Sequence, residues 1–203
     1  MRKIRLIILS AFAVVCMSAS AQEPFGTFYF QYNLSYLKSD KTHSESANIH
    51  YNQMKEQFNE VTIGYNYDTP LFSIPLYLEF GGAFQWAFQS GDGNKTNILA
   101  LKAPVNLLFS INISDDFKIQ PYGGVYGRWN LLAKTKPDEE ETINWFKTMD
   151  ARRLQMGVNA GLRFTIGNYV SIGGGYYRDL TGFCNNYYEN HFEGWDFTIG
   201  MVL

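Results

Sequence analysis

The chain has 203 residues, a formal net charge of -2 and a mean hydropathy of -0.21. That length suits one domain, and the charge balance leaves no basic face for nucleic acid. Aromatics make up 17% of the residues and glycine occupies 18 positions. Past the N-terminal segment there is still no run of ~18 apolar residues that could cross a bilayer as a helix.

Residues 1–21 read as a secretory signal. Arg2, Lys3 and Arg5 form a basic start, Leu6 to Met17 is a short apolar run, and Ala19-Ser20-Ala21 is a small-x-small cleavage site. Cleavage removes three positive charges, taking the formal charge from -2 to -5, and leaves residues 22–203 as the barrel domain. Val14 and Val15 are too bulky for a lipobox ahead of Cys16. Cys184 is then the one cysteine left, so an internal disulfide is excluded.

The rest alternates. Phe28, Phe30, Tyr32, Leu34 and Tyr36 share one face of a strand over Phe25 to Leu37. Lys38 to Lys55 is a polar loop. Val61, Ile63, Tyr65 and Tyr67 oppose Glu60, Thr62, Gly64 and Asn66 in a second strand, Phe58 to Tyr67. A short link with Pro70 and Pro75 follows. Leu76 to Phe88 is the third strand, and Ser90 to Lys95 is turn chemistry. Ile98 to Ile113 is the fourth; Pro104 inside it is expected to mark a bulge that shifts parity. Phe117 to Leu131 is the fifth, and Ala133 to Asp150 a long acidic loop. The sixth, Leu154 to Ile166, has the cleanest pattern. Leu154, Met156, Val158, Ala160, Leu162, Phe164 and Ile166 are all apolar; the residues between them are all polar or glycine. Gly167-Asn168 is a tight hairpin turn. Tyr169 to Leu180 is the seventh strand, Thr181 to Glu193 a loop, and Gly194 to Leu203 the eighth.

Eight strands, joined alternately by long and short connections, imply an all-β fold: an eight-stranded antiparallel up-and-down transmembrane β-barrel. Its short turns face the periplasm and its long loops face outward. Lipid offers no partner to an edge strand, so the sheet must close. A soluble, lipocalin-like carrier has the same period with its apolar face inside. Three features favour the membrane: a nearly continuous apolar face, aromatics gathered towards strand ends, and ionisable residues well within strands on the other face. Those residues are Glu60, Glu79, Lys102, Arg128, Arg163, Asp179 and Asp196. Glu79 and Arg163 fall low in the barrel, the other five higher. They are expected to plug the lumen as ion-pair layers or to sit singly in water pockets.

Leu99-Ala100-Leu101-Lys102-Ala103-Pro104-Val105-Asn106-Leu107-Leu108 resembles a strand of the porin-like outer-membrane protein β-barrel domain family common in Bacteroidetes-type bacteria. Lys118-Ile119-Gln120-Pro121-Tyr122-Gly123-Gly124, Gly157 to Leu162 and Tyr176-Tyr177-Arg178-Asp179-Leu180-Thr181 are similar to its later strands. The resemblance spans the mature chain. It implies a small eight-stranded barrel of OmpA/OmpX-like architecture in the outer membrane and no agreed biochemical role. Members often end in an aromatic; this chain ends in Leu203.

Catalysis is not expected. His43, His50 and His191 all fall in long loops, with Ser44 and Ser46 beside His43 and Glu189 and Glu193 beside His191, but no motif spacing joins them. No cofactor or metal is expected, since Cys184, His191 and nearby acids lack ligand spacing. Gly173-Gly174-Gly175 precedes no helix and is no phosphate loop. Asp138 to Glu141 reads as a solvated loop tip. The expected partners are outer-membrane lipid and an unidentified ligand of the external loops Lys38–Lys55, Ala133–Asp150 and Thr181–Glu193, with the chain a monomer. A barrel enzyme acting on envelope lipid is the alternative.

Overall fold

The computed structural model describes residues 23–39, 55–72, 74–91, 94–137, 141–148, 150–184 and 190–203. The proposed signal segment, His43, His50, Ser44, Ser46, Glu189 and Asp138 to Glu140 lie outside them. The strands are β1 (Phe25–Ser39), β2 (Lys55–Leu71), β3 (Leu76–Gly91), β4 (Asn94–Phe109), β5 (Ile111–Ser114), β6 (Phe117–Pro137), β7 (Ile143–Asn144), β8 (Leu154–Ile166), β9 (Val170–Asp179) and β10 (Asn190–Val202). One short helix, α1 (Trp145–Thr148), follows β7.

Eight staves close the wall: β1, β2, β3, β4 continued by β5, β6, β8, β9 and β10, all antiparallel, with β10 against β1 and β4 against β6. Partners can be followed round the wall from Gly26 through Tyr67, Phe80, Val105, Val125, Val158, Arg178 and Glu193. The path returns to β1 at Tyr36. The stagger is 36 - 26 = 10 residues. At ~3.3 Å per residue and ~4.8 Å between strands, that tilts the staves by about 40°, a membrane-barrel geometry.

The apolar side chains point outward. Phe30, Ile63, Phe84, Leu101, Val125 and Ile199 are exposed on the outer wall. On β8, Leu162 is 46% exposed, while the Arg163 side chain keeps 11%. The polar faces of the same strands bury Thr62, Gln85, Asn106 and Gln155 inside. A polar interior excludes the soluble carrier of an apolar ligand.

Several expectations need correction. Pro104 marks no bulge. Its face stays in step, and Phe80 with Val105 and Ala83 with Lys102 keep one register on either side of it. The missing N–H instead costs the β3–β4 ladder the two pairs between those, opposite Gly81 and Gly82, while the β6 side is intact. The bulge lies on β6: Leu99 pairs Leu132 and Ala100 pairs Asn130, leaving Leu131 as the extra residue. Asp68 is not in the turn, because β2 runs on to Leu71 and carries it inside. The connection between β3 and β4 is short, with Gly91 paired to Asn94. The segment 133–150 is not one loop: β6 continues to Pro137, and β7 and α1 follow. The strand at 190–193 takes His191 out of the loop.

The hairpin at Gly167-Asn168 has φ of 59° and 57°, the left-handed pair that a two-residue turn of this kind requires.

Candidate functional site

The lumen is filled in layers. Lowest, Arg163 on β8 reaches across to Glu79 on β3, forming an ion pair, and to Asp68 on β2 at 3.4 Å. Asn106 donates to the other Glu79 oxygen at 2.7 Å. The guanidinium lies 5.9 Å from the centre of the Tyr122 ring. Glycine makes room for that ring: a Cβ at either Gly161 or Gly175, paired across β8 and β9, would stand 2.6 Å from the Tyr122 hydroxyl. Gly175 belongs to the triple-glycine run, which here relieves crowding.

Higher up, Arg128 on β6 pairs with Asp179 on β9. Tyr126 donates to Asp179 at 2.6 Å, Gln155 at 3.0 Å, and Arg128 also donates to Gln155 at 2.6 Å. Asn130 donates to Gln155 at 2.7 Å. Glu60 on β2 has no ion pair among the described residues. One of its oxygens accepts from Asn33 at 2.9 Å, Gln85 at 2.6 Å and Tyr177 at 3.0 Å. Hydrogen bonds to a carboxylate are a second way to hold buried charge.

Lys102 and Asp196 differ from the rest. Among the described residues, no carboxylate lies within ion-pair distance of the Lys102 ammonium; it sits 4.3 Å from the Tyr126 ring centre and 4.9 Å from that of Tyr177. Both residues line a small cavity of about 50 Å³ in the lumen, with Tyr29, Asn66, Glu79 and Arg163. That is room for a few waters. Among the described residues, five carboxylates thus share the interior with three cations, Asp68 being the one not expected there from the sequence.

Above these layers the outer mouth is closed by a small apolar core. Phe58, Phe192, Phe183 and Trp145 meet edge to face, at 5.4–5.5 Å between successive centroids. Leu37, Ile98, Ala133 and Ala151 pack with them. The Trp145 indole donates to Thr135 at 2.8 Å, and Ala151 bridges to Cys184. Burial in this cap pushes the Cys184 thiol up to about 11. The other end opens into a vestibule of about 430 Å³ lined by Phe25, Tyr77, Ser110, Lys118, Gln120 and Thr165 among others.

On the outer wall, Glu193 pairs with Lys38, stands 3.9 Å from Arg178 and 3.6 Å from His191. Trp195 and Tyr176, paired at 5.1 Å, sit next to it. Among the described residues, no group of three or more His, Cys, Asp and Glu is placed to hold a metal ion.

Known proteins share this architecture. Ail, the attachment invasion locus protein of Yersinia pestis, has a solved structure in complex with the heparin analogue sucrose octasulfate. It superposes with a TM-score of 0.53 at 12% identity, over 90% of this chain and all of Ail. The outer membrane enzyme PagL superposes with a TM-score of 0.50 at 10% identity, over 83% of this chain and 97% of PagL. At these identities the likeness is one of fold. No curated protein matches the sequence. The family model for the outer membrane protein beta-barrel domain matches residues 7–176. A closed tilted barrel with its apolar residues outward and that match together assign the chain to the outer membrane, as a member of the outer membrane protein beta-barrel domain family.

Proposed function

We propose that the protein is a non-enzymatic outer-membrane barrel that acts through its external end and not through its lumen. The observation behind this reading is the double closure: two polar layers across the lumen and an apolar cap over them. An eight-stranded barrel is only wide enough for side chains to fill it. The external end is also built up. Crossing a bilayer takes ~9–11 residues per tilted strand, whereas β6 has 21 and β2 has 17. Ail, of the same architecture, is known with a polyanion bound, which fits a surface-binding role. In planar bilayers the wild type is expected to give no stable channels. Trp145→Ala with Phe183→Ala is expected to give none either, because both polar layers remain; large steady conductance from the wild type refutes the reading.

A lipid-modifying enzyme is the second reading. It draws on the closeness of His191 to Glu193 on the outer wall, and PagL is an enzyme on this fold. Mass spectrometry of envelope lipids from cells making wild type or His191→Ala separates the two. Equal spectra are expected, and a modification lost with the histidine favours the enzyme.

A further inference from the structure

The lumen cavity carries an excess of acceptors. Five residues that line it each have a side-chain oxygen with no hydrogen-bond partner among the described residues. These are Thr27 Oγ1, Asn66 Oδ1, Asn106 Oδ1, Asn159 Oδ1 and Asp196 Oδ1. Thr27, Asn66, Asn106 and Asp196 keep only 2–7% of their surface exposed. Glu79 sets which way two of the amides face. Asn106 donates to it at 2.7 Å, and Asn66 bonds to the same carboxylate. Turning either amide over would bring its oxygen against that charge. A buried oxygen left with neither a donor nor a cation is costly.

Charge around the cavity points the same way. Glu79 and Asp68 share the guanidinium of Arg163, which leaves that group with one negative charge in excess. Lys102 balances Asp196 in number, and its ammonium lies over the Tyr126 and Tyr177 rings. Water can satisfy the five oxygens but leaves the excess charge in place; a monovalent cation answers both. The volume of about 50 Å³ takes such an ion with a water or two. A divalent ion wants carboxylate ligands, and Glu79 is already committed to Arg163. We propose that the lumen cavity binds an alkali cation, held by the Asp196 carboxylate and by the oxygens of Thr27, Asn66, Asn106 and Asn159, directly or through water. Such ions take carbonyl oxygens in place of their hydration shell, so the site needs no cluster of His, Cys, Asp and Glu. The inference stands apart from whatever the external end binds.

The test is equilibrium dialysis of the full mature barrel, refolded in neutral detergent, against radioactive Na+. N-methylglucamine chloride, whose cation is too large for the cavity, keeps the ionic strength constant. Wild type is expected to hold about one ion per barrel, displaced by K+, and to show a higher urea midpoint in NaCl than in N-methylglucamine chloride, since an ion bound only by the folded state stabilises it. Asp196→Asn keeps the shape of the side chain and removes its charge; it is expected to weaken Na+ binding by roughly tenfold or more. Thr27→Val removes a single oxygen and should weaken binding less; it serves alone if Asp196→Asn does not fold, as judged by heat-modifiable mobility on gels. Thr96→Val, whose hydroxyl bonds to Thr135 away from the cavity, is expected to bind as wild type. No retained Na+ overturns the proposal; this is the result expected if water or protons complete the cavity. Retention unchanged in both Asp196→Asn and Thr27→Val also overturns it, since the ion would then sit elsewhere. Displacement by Ca2+ far more readily than by K+ overturns the assignment to a monovalent ion.

Discussion

The lower lumen and the outer cap close the same channel by opposite means. Below, Arg163, Glu79 and Asp68 meet on rigid staves held by ladder hydrogen bonds on both sides. Above, Trp145 and Phe183 come from the segments between staves and pack on Phe58 and Phe192 at the strand ends. Charge is tolerable where the wall fixes the geometry, because a buried ion pair depends on its alignment. Apolar packing is non-directional and suits segments with fewer constraints. The difference teaches that the charged layers are tied to the barrel wall, whereas the cap rests on side-chain packing between segments outside the main ladder.

Breaking the lower layer has the largest expected effect. Arg163→Ala strands Glu79 and Asp68 without their cation and should cost ~3–5 kcal/mol, read as the urea midpoint of the heat-modifiable folded band. Glu79→Gln should cost clearly less, because Arg163 keeps Asp68 at 3.4 Å. Equal losses from the two would show that the acids do not depend on that guanidinium. In the cap, Trp145→Ala removes a buried ring worth ~3 kcal/mol. If the cap opens separately, the urea midpoint of the barrel stays put and Cys184 alkylation rises by roughly 100-fold, at ~1.4 kcal/mol per decade. A lowered midpoint in step with faster labelling would make cap and barrel one unit.

Cys184 sharpens the same comparison through pH. Its thiol goes from an ordinary 9.0 to about 11 by burial, with the Asp150 charge adding to it. A raised value means that the neutral thiol's contribution is complete below pH 9 and is lost as pH climbs through about 11. The expected outcome is a cap that loosens between those limits, seen as faster proteolysis of the outer segments, and does not loosen there in Cys184→Ala. At pH 8 the folded thiol should alkylate roughly 100-fold more slowly than in the urea-unfolded chain.

Legibility followed the membrane. Leu154 to Ile166 is a strand with the bounds its alternation indicates, because lipid outside and polar groups inside enforce period two on every residue. Beyond the bilayer that demand stops while the ladder continues. The strand signal therefore ended at Leu131, whereas β6 reaches Pro137. Asp68 was hidden by Pro70, which reads as a turn; counting 60, 62, 64, 66 and on to 68 would have kept it in the lumen. The cap left a weaker trace, in Trp145-Phe146 and Phe183, large aromatics inside polar stretches. Nothing in composition marks Leu131 as the extra residue, since a bulge is a relation between two strands and only one of them is local.

The smallest expected effect lies where that bulge acts. Lys95 and Lys136 oppose each other on the projecting part of the wall, outside both the charged layers and the cap. In neutral detergent Lys136→Glu converts a repelling pair into an attracting one. It should stabilise the barrel by ~0.2–1 kcal/mol, less at high salt because both groups face solvent. The control is Lys147→Glu on α1, a same-sized charge change away from the ladder pair, with no expected shift in urea midpoint. An equal gain from both would trace the effect to net charge and not to register. A gain confined to Lys136→Glu would place the two lysines opposite each other in solution, and with them the parity change at Leu131 that separates the outer segment of β6 from the membrane segment below it.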